Sequence, residues 1–339
     1  MKKIHLLISI VISLLFFVPV VQAAGDSKHV LKWSTYVTPK DIRYKELVLW
    51  SEMMEEASDG RLKLEIHHSN SLFPFTQWYD GMRTGLACGG PAAMAWDERF
   101  KATGSIQQAP FAVDMSRIYE FDQEILEVMR PELEKFGLVP IYEDGDAVTQ
   151  DWFSMKLART PEEYFKGNII RAGGAALNLT VKTHGGTPMV FSQEETFSAI
   201  EKGIIQGANF GLLTFHGWGL HKKMPWMIRA AQFMTTLPFV VTKDCYDDLP
   251  ADLQQVLMET GKRLRREVIS KIYIDEINRV LGEMAFEGFN VYSIPPEDLS
   301  AWTEPVEGLW KEEILKRTAA GGFAGMGPKA IAVYEKYAR

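Results

Sequence analysis

Apolar and polar positions alternate in two rhythms along the first hundred residues. Val30-Leu31-Lys32-Trp33 reads as a strand, and from about Lys40 the apolar residues Tyr44, Leu47, Val48, Trp50 and Met54 recur at helical steps until Gly60. Leu62, Leu64 and Ile66 then alternate with Arg61, Lys63 and Glu65, the signature of a half-buried strand. Gln77 to Thr84 predicts a short helix stopped by Gly85, followed by an apolar strand near Ala92 to Trp96. Strand, helix, strand, helix, strand implies an α/β sheet with mostly parallel neighbours.

The same rhythm restarts near Gln150. Thr160-Pro161-Glu162-Glu163 opens a helix as a capping box with proline at its first position, and Gly167 closes that turn. Asn168-Ile169-Ile170-Arg171 reads as a strand running into Ala172-Gly173-Gly174. A second capping box, Ser192-Gln193-Glu194-Glu195, opens a helix with Phe197 and Ile200 inward, ended by Gly203. Ile204 to Ala208 reads as the next strand. Two such units predict two similar lobes.

From Ala251 to about Phe286 there is no proline and there are only two glycines, Gly261 and Gly282. Leu253, Val256, Leu257, Leu264, Val268, Ile272, Ile277, Val280, Leu281 and Met284 recur mostly at three- or four-residue steps. A continuous helix of that length spans roughly 54 Å, more than the width of a small domain. It would have to lie along both lobes and tie them together. The steps keep no strict heptad, which argues against a coiled coil.

The first 23 residues follow a different pattern. Lys2-Lys3 precede a mostly apolar run from Leu6 to Val21, and Val21-Gln22-Ala23 supplies small residues where a signal peptidase cuts. This predicts a cleaved export signal rather than a membrane anchor, and a periplasmic protein. The 339 residues, 46% hydrophobic with a formal net charge of −7, suit two globular domains and exclude a disordered or collagen-like chain. No long basic block appears, so no nucleic-acid partner is expected. Cys88 and Cys245 are expected to be separate thiols packed as small hydrophobes.

Enzyme signatures are absent: no Gly-x-Ser-x-Gly elbow, phosphate loop, dinucleotide fingerprint or His-Glu-x-x-His is found. His67 and His68 are adjacent and would face opposite sides of a strand, and His216 and His221 are five apart, the wrong step for one helical face. No catalytic residue and no cofactor is assigned. Ligands of open α/β sheets bind at the carboxyl ends of strands, where Arg171 stands beside Gly173-Gly174. A guanidinium there can grip a carboxylate through two parallel hydrogen bonds, and the glycines would let a ligand approach the backbone. Spacing alone leaves an ordinary surface salt bridge equally open.

Phe165-Lys166-Gly167-Asn168-Ile169-Ile170-Arg171 resembles the "DLKGLKIR" segment of the solute-binding proteins of tripartite ATP-independent periplasmic (TRAP) transporters, the DctP family. Gly185 to Met189 resembles that family's "lGatPv" turn, Glu195 to Gly207 its "EvYtALqtGvvDG", and Asp248 to Gln254 the "LPedlQ" that opens its long helix. Order and spacing agree from about residue 30 to 320. The resemblance implies a two-lobed periplasmic-binding-protein-like α/β fold with a ligand cleft between lobes and a long lobe-spanning helix. Lobe I would take residues 24–148 and 237–276, and lobe II residues 149–236 and 277–339 with the C-terminal helices. It implies a monomer that captures an organic acid and delivers it to TRAP permease membrane subunits. A ligand-binding subunit for a membrane sensor kinase is the alternative.

The resemblance places the ligand carboxylate on Arg171. Where many members carry acidic residues, this chain has Gln206-Gly207-Ala208-Asn209-Phe210, so Asn209 would donate a hydrogen bond in place of a metal-binding Glu, no metal is assigned, and Phe210 would wall the pocket. Gln150-Asp151-Trp152-Phe153 resembles a shortened "QMGGWF", whose Gln faces the ligand. Trp33, Tyr36, Phe75 and Trp96 are further lining candidates. So many rings around one clamp favour an aromatic or hydrophobic acid.

Overall fold

The computed structural model describes residues 27–110, 113–143, 150–191 and 193–338. The expected export signal, 1–23, lies outside the described residues. In chain order the first unit contains β1 (His29–Ser34), α1 (Ile42–Ala57), β2 (Leu62–His67), α2 (Trp78–Arg83), β3 (Gly89–Pro91), α3 (Lys101–Ile106), β4 (Gln108–Ala109), α4 (Ile118–Lys135) and β5 (Leu138–Glu143). The second contains β6 (Gln150–Ser154), α5 (Pro161–Phe165), β7 (Ile169–Arg171), α6 (Ala175–Thr183), β8 (Thr187–Met189), α7 (Gln193–Glu201), β9 (Gly207–Phe210), α8 (Leu212–Gly217) and β10 (Trp226–Thr235). The chain then returns through β11 (Pro238–Thr242), α9 (Lys243–Asp247), α10 (Ala251–Leu264), α11 (Ser270–Phe286), β12 (Asn290–Ser293), α12 (Leu299–Ala320) and α13 (Met326–Tyr337).

Two sheets result, one per lobe. The first runs β2-β1-β3-β11-β5, with β1 parallel to β2 and β3 and β11 antiparallel to both its neighbours. The second runs β12-β10-β6-β9-β7-β8, with β4 added on β10. The main chain passes between the sheets five times: from β3 to β4 and back to β5, from β5 to β6, from β10 to β11, and from β11 to β12. Trp33 and Trp50 meet edge to face at 5.0 Å, and Tyr142 stacks on Phe239 at 4.8 Å, in the core of the first lobe. Phe153 and Phe215 stack at 3.7 Å in the second.

The expected strand at Ala92–Trp96 is displaced. The strand is the preceding Gly89-Gly90-Pro91, and Met94–Trp96 forms a single 3₁₀ turn. A Cβ at Gly89 would sit 2.2 Å from the Trp33 ring and one at Gly90 2.7 Å from the Ser34 carbonyl, so only glycine fits under this tryptophan. Likewise β9 begins at Gly207, pressed beneath the Tyr164 hydroxyl, and not at Ile204. Phe197, expected inward, is exposed and lies over the Lys223 ammonium, whereas Ile200 is buried as expected. The Thr160 hydroxyl does cap α5, accepting from the Glu163 amide at 3.2 Å.

Helical structure is continuous from Ala251 to Phe286, as the periodicity predicts, but it passes through a π-helical turn at Arg265–Ile269. There Arg265 is buried and paired with Asp122 of α4. The α10 half packs on α1 and β5, the α11 half on α8, so one helix touches both lobes. The C-terminal α12 packs on α3 and α6, and α13 on α4.

The two cysteines form a disulfide, Cys88–Cys245, contrary to the expectation of separate thiols. Their separation of 157 residues hides the reason, which is sheet order. Strands β3 and β11 are antiparallel neighbours, Thr242 donates its amide to the Cys88 carbonyl at 2.8 Å, and the Thr242 hydroxyl then caps α9, where Cys245 lies.

Candidate cleft between the lobes

A cavity of about 220 Å³ opens where strand ends of the two sheets meet the chain crossings after β5 and after β10. The first lobe contributes Tyr36, Phe75 and Trp96, the second Arg171, Phe210, Thr214 and Trp218, and the crossings Gln150, Thr235 and Leu237. Six of the eight residues expected from sequence therefore share one space: Tyr36, Phe75, Trp96, Gln150, Arg171 and Phe210.

Trp33 and Asn209 do not line it. Trp33 is fully buried in the first lobe's core against Trp50 and Phe239, because its parity on β1 matches that of Leu31, on the face opposed to α1. Asn209 is likewise fully buried. Its side-chain amide donates to the Asp151 carbonyl at 3.2 Å, tying β9 to β6, while its own carbonyl accepts from Arg171 Nη1 at 2.9 Å. Asn209 thus aims the guanidinium through its backbone and not through its side chain.

Arg171 is the last residue of β7. It lies over the Phe210 ring at 4.1 Å, a cation–π contact, and Phe210 in turn abuts Trp218 at 5.3 Å. The open part of this half-buried side chain faces the cavity. Its Nε is shielded from solvent and finds no hydrogen-bond partner, and no carboxylate pairs with the guanidinium among the described residues. Burial alone pushes the Arg171 pKa down to about 10. The group stays charged at neutral pH, but the depression corresponds to roughly 3 kcal/mol of lost hydration that a bound anion can return.

The paired glycines after Arg171 answer to packing as much as to ligand. A Cβ on Gly173 would meet Trp96 Nε1 of the opposite lobe at 2.7 Å, and one on Gly174, at φ 94°, would meet the Gln108 amide at 2.1 Å. Gln108 donates to the Gly173 carbonyl at 2.7 Å and its own carbonyl accepts from the Trp310 indole at 2.8 Å. The Trp96 contact limits how near the first lobe approaches at the cleft.

Thr214, Thr235 and Leu237 were not legible as lining residues. Thr214 follows a strand end by four positions inside a short helix, and Thr235 and Leu237 belong to a crossing with no motif of its own. His216 and His221, judged too far apart to meet, stack at 4.8 Å because Gly219, at φ 71°, turns the chain back. Among the described residues no three His, Cys, Asp or Glu side chains are grouped to hold a metal, and no helix is long and apolar enough to cross a membrane.

The sequence profile of DctP, described as bacterial extracellular solute-binding protein family 7, matches residues 33–317. A solute-binding protein of Albidiferax ferrireducens is 21% identical over 286 residues, covering 80% of this chain and 81% of the relative. The fold is similar to a TRAP periplasmic solute-binding protein from Desulfovibrio salexigens with bound orotic acid (TM-score 0.80, 18% identity, 91% of this chain and 98% of that one). It is similar too to one from Desulfovibrio desulfuricans with bound sn-glycerol-3-phosphate (TM-score 0.79, 13% identity, 92% and 99%).

Proposed function

From the chain's membership of the DctP family of bacterial extracellular solute-binding proteins, we propose that its cleft captures a small organic acid by the carboxylate, on Arg171. Closed over that acid, the protein would act in the periplasm and deliver it to the membrane permease of a TRAP-type transporter. The observation that carries the reading is the shielded Arg171 guanidinium with no anionic partner among the described residues. A lone buried charge is retained where a ligand of opposite charge completes it. Of the two similar folds reported with ligands, both hold small anions and the one with orotic acid holds a carboxylate, which supports the class. A cavity of about 220 Å³ suits a ligand of about one ring, since one of about 150 Å³ admits benzene. The Tyr36–Phe75 pair at 4.3 Å and Phe210 beneath Arg171 favour a flat or apolar body behind the carboxylate.

Thermal denaturation of refolded, ligand-free protein against a panel of organic acids tests this. A ligand at 100 times its dissociation constant stabilises by about 2.7 kcal/mol, a rise of several degrees. Acids should give that rise, and Arg171→Ala should remove it, weakening binding by roughly 2–5 kcal/mol. Acids that stabilise wild type and Arg171→Ala equally would refute the assignment.

A further inference from the structure

Arg43 supplies a second fixed cation beside the cleft, and its hydrogen bonds reach both lobes. It lies in the first turn of α1, where Asp41 caps the helix and grips the guanidinium with both carboxylate oxygens, at 2.9 Å to Nε and 2.5 Å to Nη2. Burial by itself would raise the Asp41 carboxyl, but Arg43 beside it holds it below its ordinary value. Arg43 also reaches two hydroxyls in the cavity wall: Nη1 donates to Tyr36 Oη at 2.6 Å and Nη2 to Thr214 Oγ1 at 3.0 Å. Tyr36 belongs to the first lobe and Thr214 to α8 of the second. A 3.0 Å bond across lobes survives only at this lobe separation.

A hydroxyl that accepts from a guanidinium has its own proton left to give, and accepting polarises it toward donation. Thr214 makes no other side-chain hydrogen bond among the described residues, and it lines the cavity although only 9% exposed. Independently, Thr235, 4% exposed on the same cavity wall, has a shielded hydroxyl with no partner among the described residues. Unfilled hydrogen-bonding capacity therefore exists in the wall beyond Arg171. Buried polar groups find partners in native structures, so two such hydroxyls point to a polar atom on the ligand.

We propose that the cleft holds a second polar subsite, in which Arg43 is a positioning residue that presents the Thr214 hydroxyl as a donor, so that the preferred ligand is a cyclic or compact acid carrying a further hydrogen-bond acceptor besides its carboxylate. The inference rests on the carboxylate reading of Arg171 and narrows it. Because the Arg43–Thr214 bond spans the lobes, recognition of that acceptor is coupled to closure.

Titration calorimetry with two ring-matched pairs separates the readings: orotate against benzoate, and pyroglutamate against cyclopentanecarboxylate. Wild type should favour the acceptor-bearing member of a pair by about tenfold or more. Thr214→Val, nearly isosteric, should collapse that preference to within about threefold, since any loss from the missing bond to Arg43 falls on both members of a pair, and Thr214→Ser should restore it. Arg43→Lys, which cannot hold both hydroxyls at once, should lower the preference with the melting temperature as a folding control. Absence of a preference in wild type, a preference unchanged by Thr214→Val, or no binding by any of the four acids overturns the subsite. Arg171→Ala distinguishes the two levels: it should weaken all four acids alike, and a failure to do so overturns the carboxylate reading itself.

Discussion

Arg171 is held in place by three unlike neighbours: a backbone carbonyl at 2.9 Å, an aromatic face at 4.1 Å, and an open cavity. None of them neutralises it, which separates this arginine from Arg43, whose charge Asp41 already answers. The low Arg171 pKa has a direct consequence. With the ligand ionised, affinity should stay flat from about pH 6 to 9 and fall as pH rises through about 10, where the empty site loses its proton and the loaded site keeps it. Calorimetry over that range checks the sign: affinity rising above pH 10 would contradict it. The sequence made Arg171 readable because a family segment and a strand end coincide there. It could not distinguish Asn209 from Phe210, since adjacent strand residues face opposite sides and only the tertiary structure says which side is the cleft.

Between elements, the cleft depends on how closely β7 and its following turn approach the first lobe. Gly173→Ala places a methyl against Trp96 and should weaken binding by about 1–3 kcal/mol with little loss of fold stability, read by calorimetry alongside a melting curve. Glu46 of α1 joins two further elements: it accepts from Tyr142 of β5 at 2.8 Å and Tyr273 of α11 at 3.1 Å, and burial raises its pKa to about 7 against the opposing pull of those hydroxyls and of Arg265 and Arg43. A carboxyl whose folded pKa is raised is protonated in the fold while the unfolded chain has already ionised. Its contribution is complete below about pH 4 and is lost as pH climbs toward 7. Glu46→Gln should therefore flatten the fall in melting temperature between about pH 4.5 and 7, with its gain on wild type complete by about pH 7, and identical pH profiles for the two proteins would contradict that role. Periodicity revealed the long helix on which this rests, from Leu253 to Met284. It could not reveal the π-helical turn, because that turn exists to bury Arg265 against Asp122 of α4, a partner far away in sequence.

At the scale of the whole molecule, two sheets are joined by five chain crossings and one shared helix, and the cleft residues come from both sheets and from the crossings after β5 and after β10. At the crossing, Glu143 accepts the Leu237 amide, tying the outgoing chain to the returning one. The disulfide staples β3 to α9 within the first lobe and closes a loop that includes the entire second sheet's N-terminal portion. Reducing it, or the double change Cys88→Ser with Cys245→Ser, should lower unfolding free energy by roughly 2–5 kcal/mol in denaturant titrations while leaving ligand affinity within about twofold. Two-lobe architecture was legible in the repeated strand–helix–strand rhythm and the four family segments. The disulfide was not, because it depends on β11 inserting between β3 and β5, a sheet order that local pattern does not encode.

The most direct measurement is a crystal structure of the refolded, ligand-free protein soaked with the acid that raises its melting temperature most. The carboxylate should lie within about 3 Å of the Arg171 guanidinium, with the ligand body against Phe210 and Tyr36. A ligand bound in this cavity with its carboxylate turned away from Arg171, or seated elsewhere on the molecule, would contradict the proposed function.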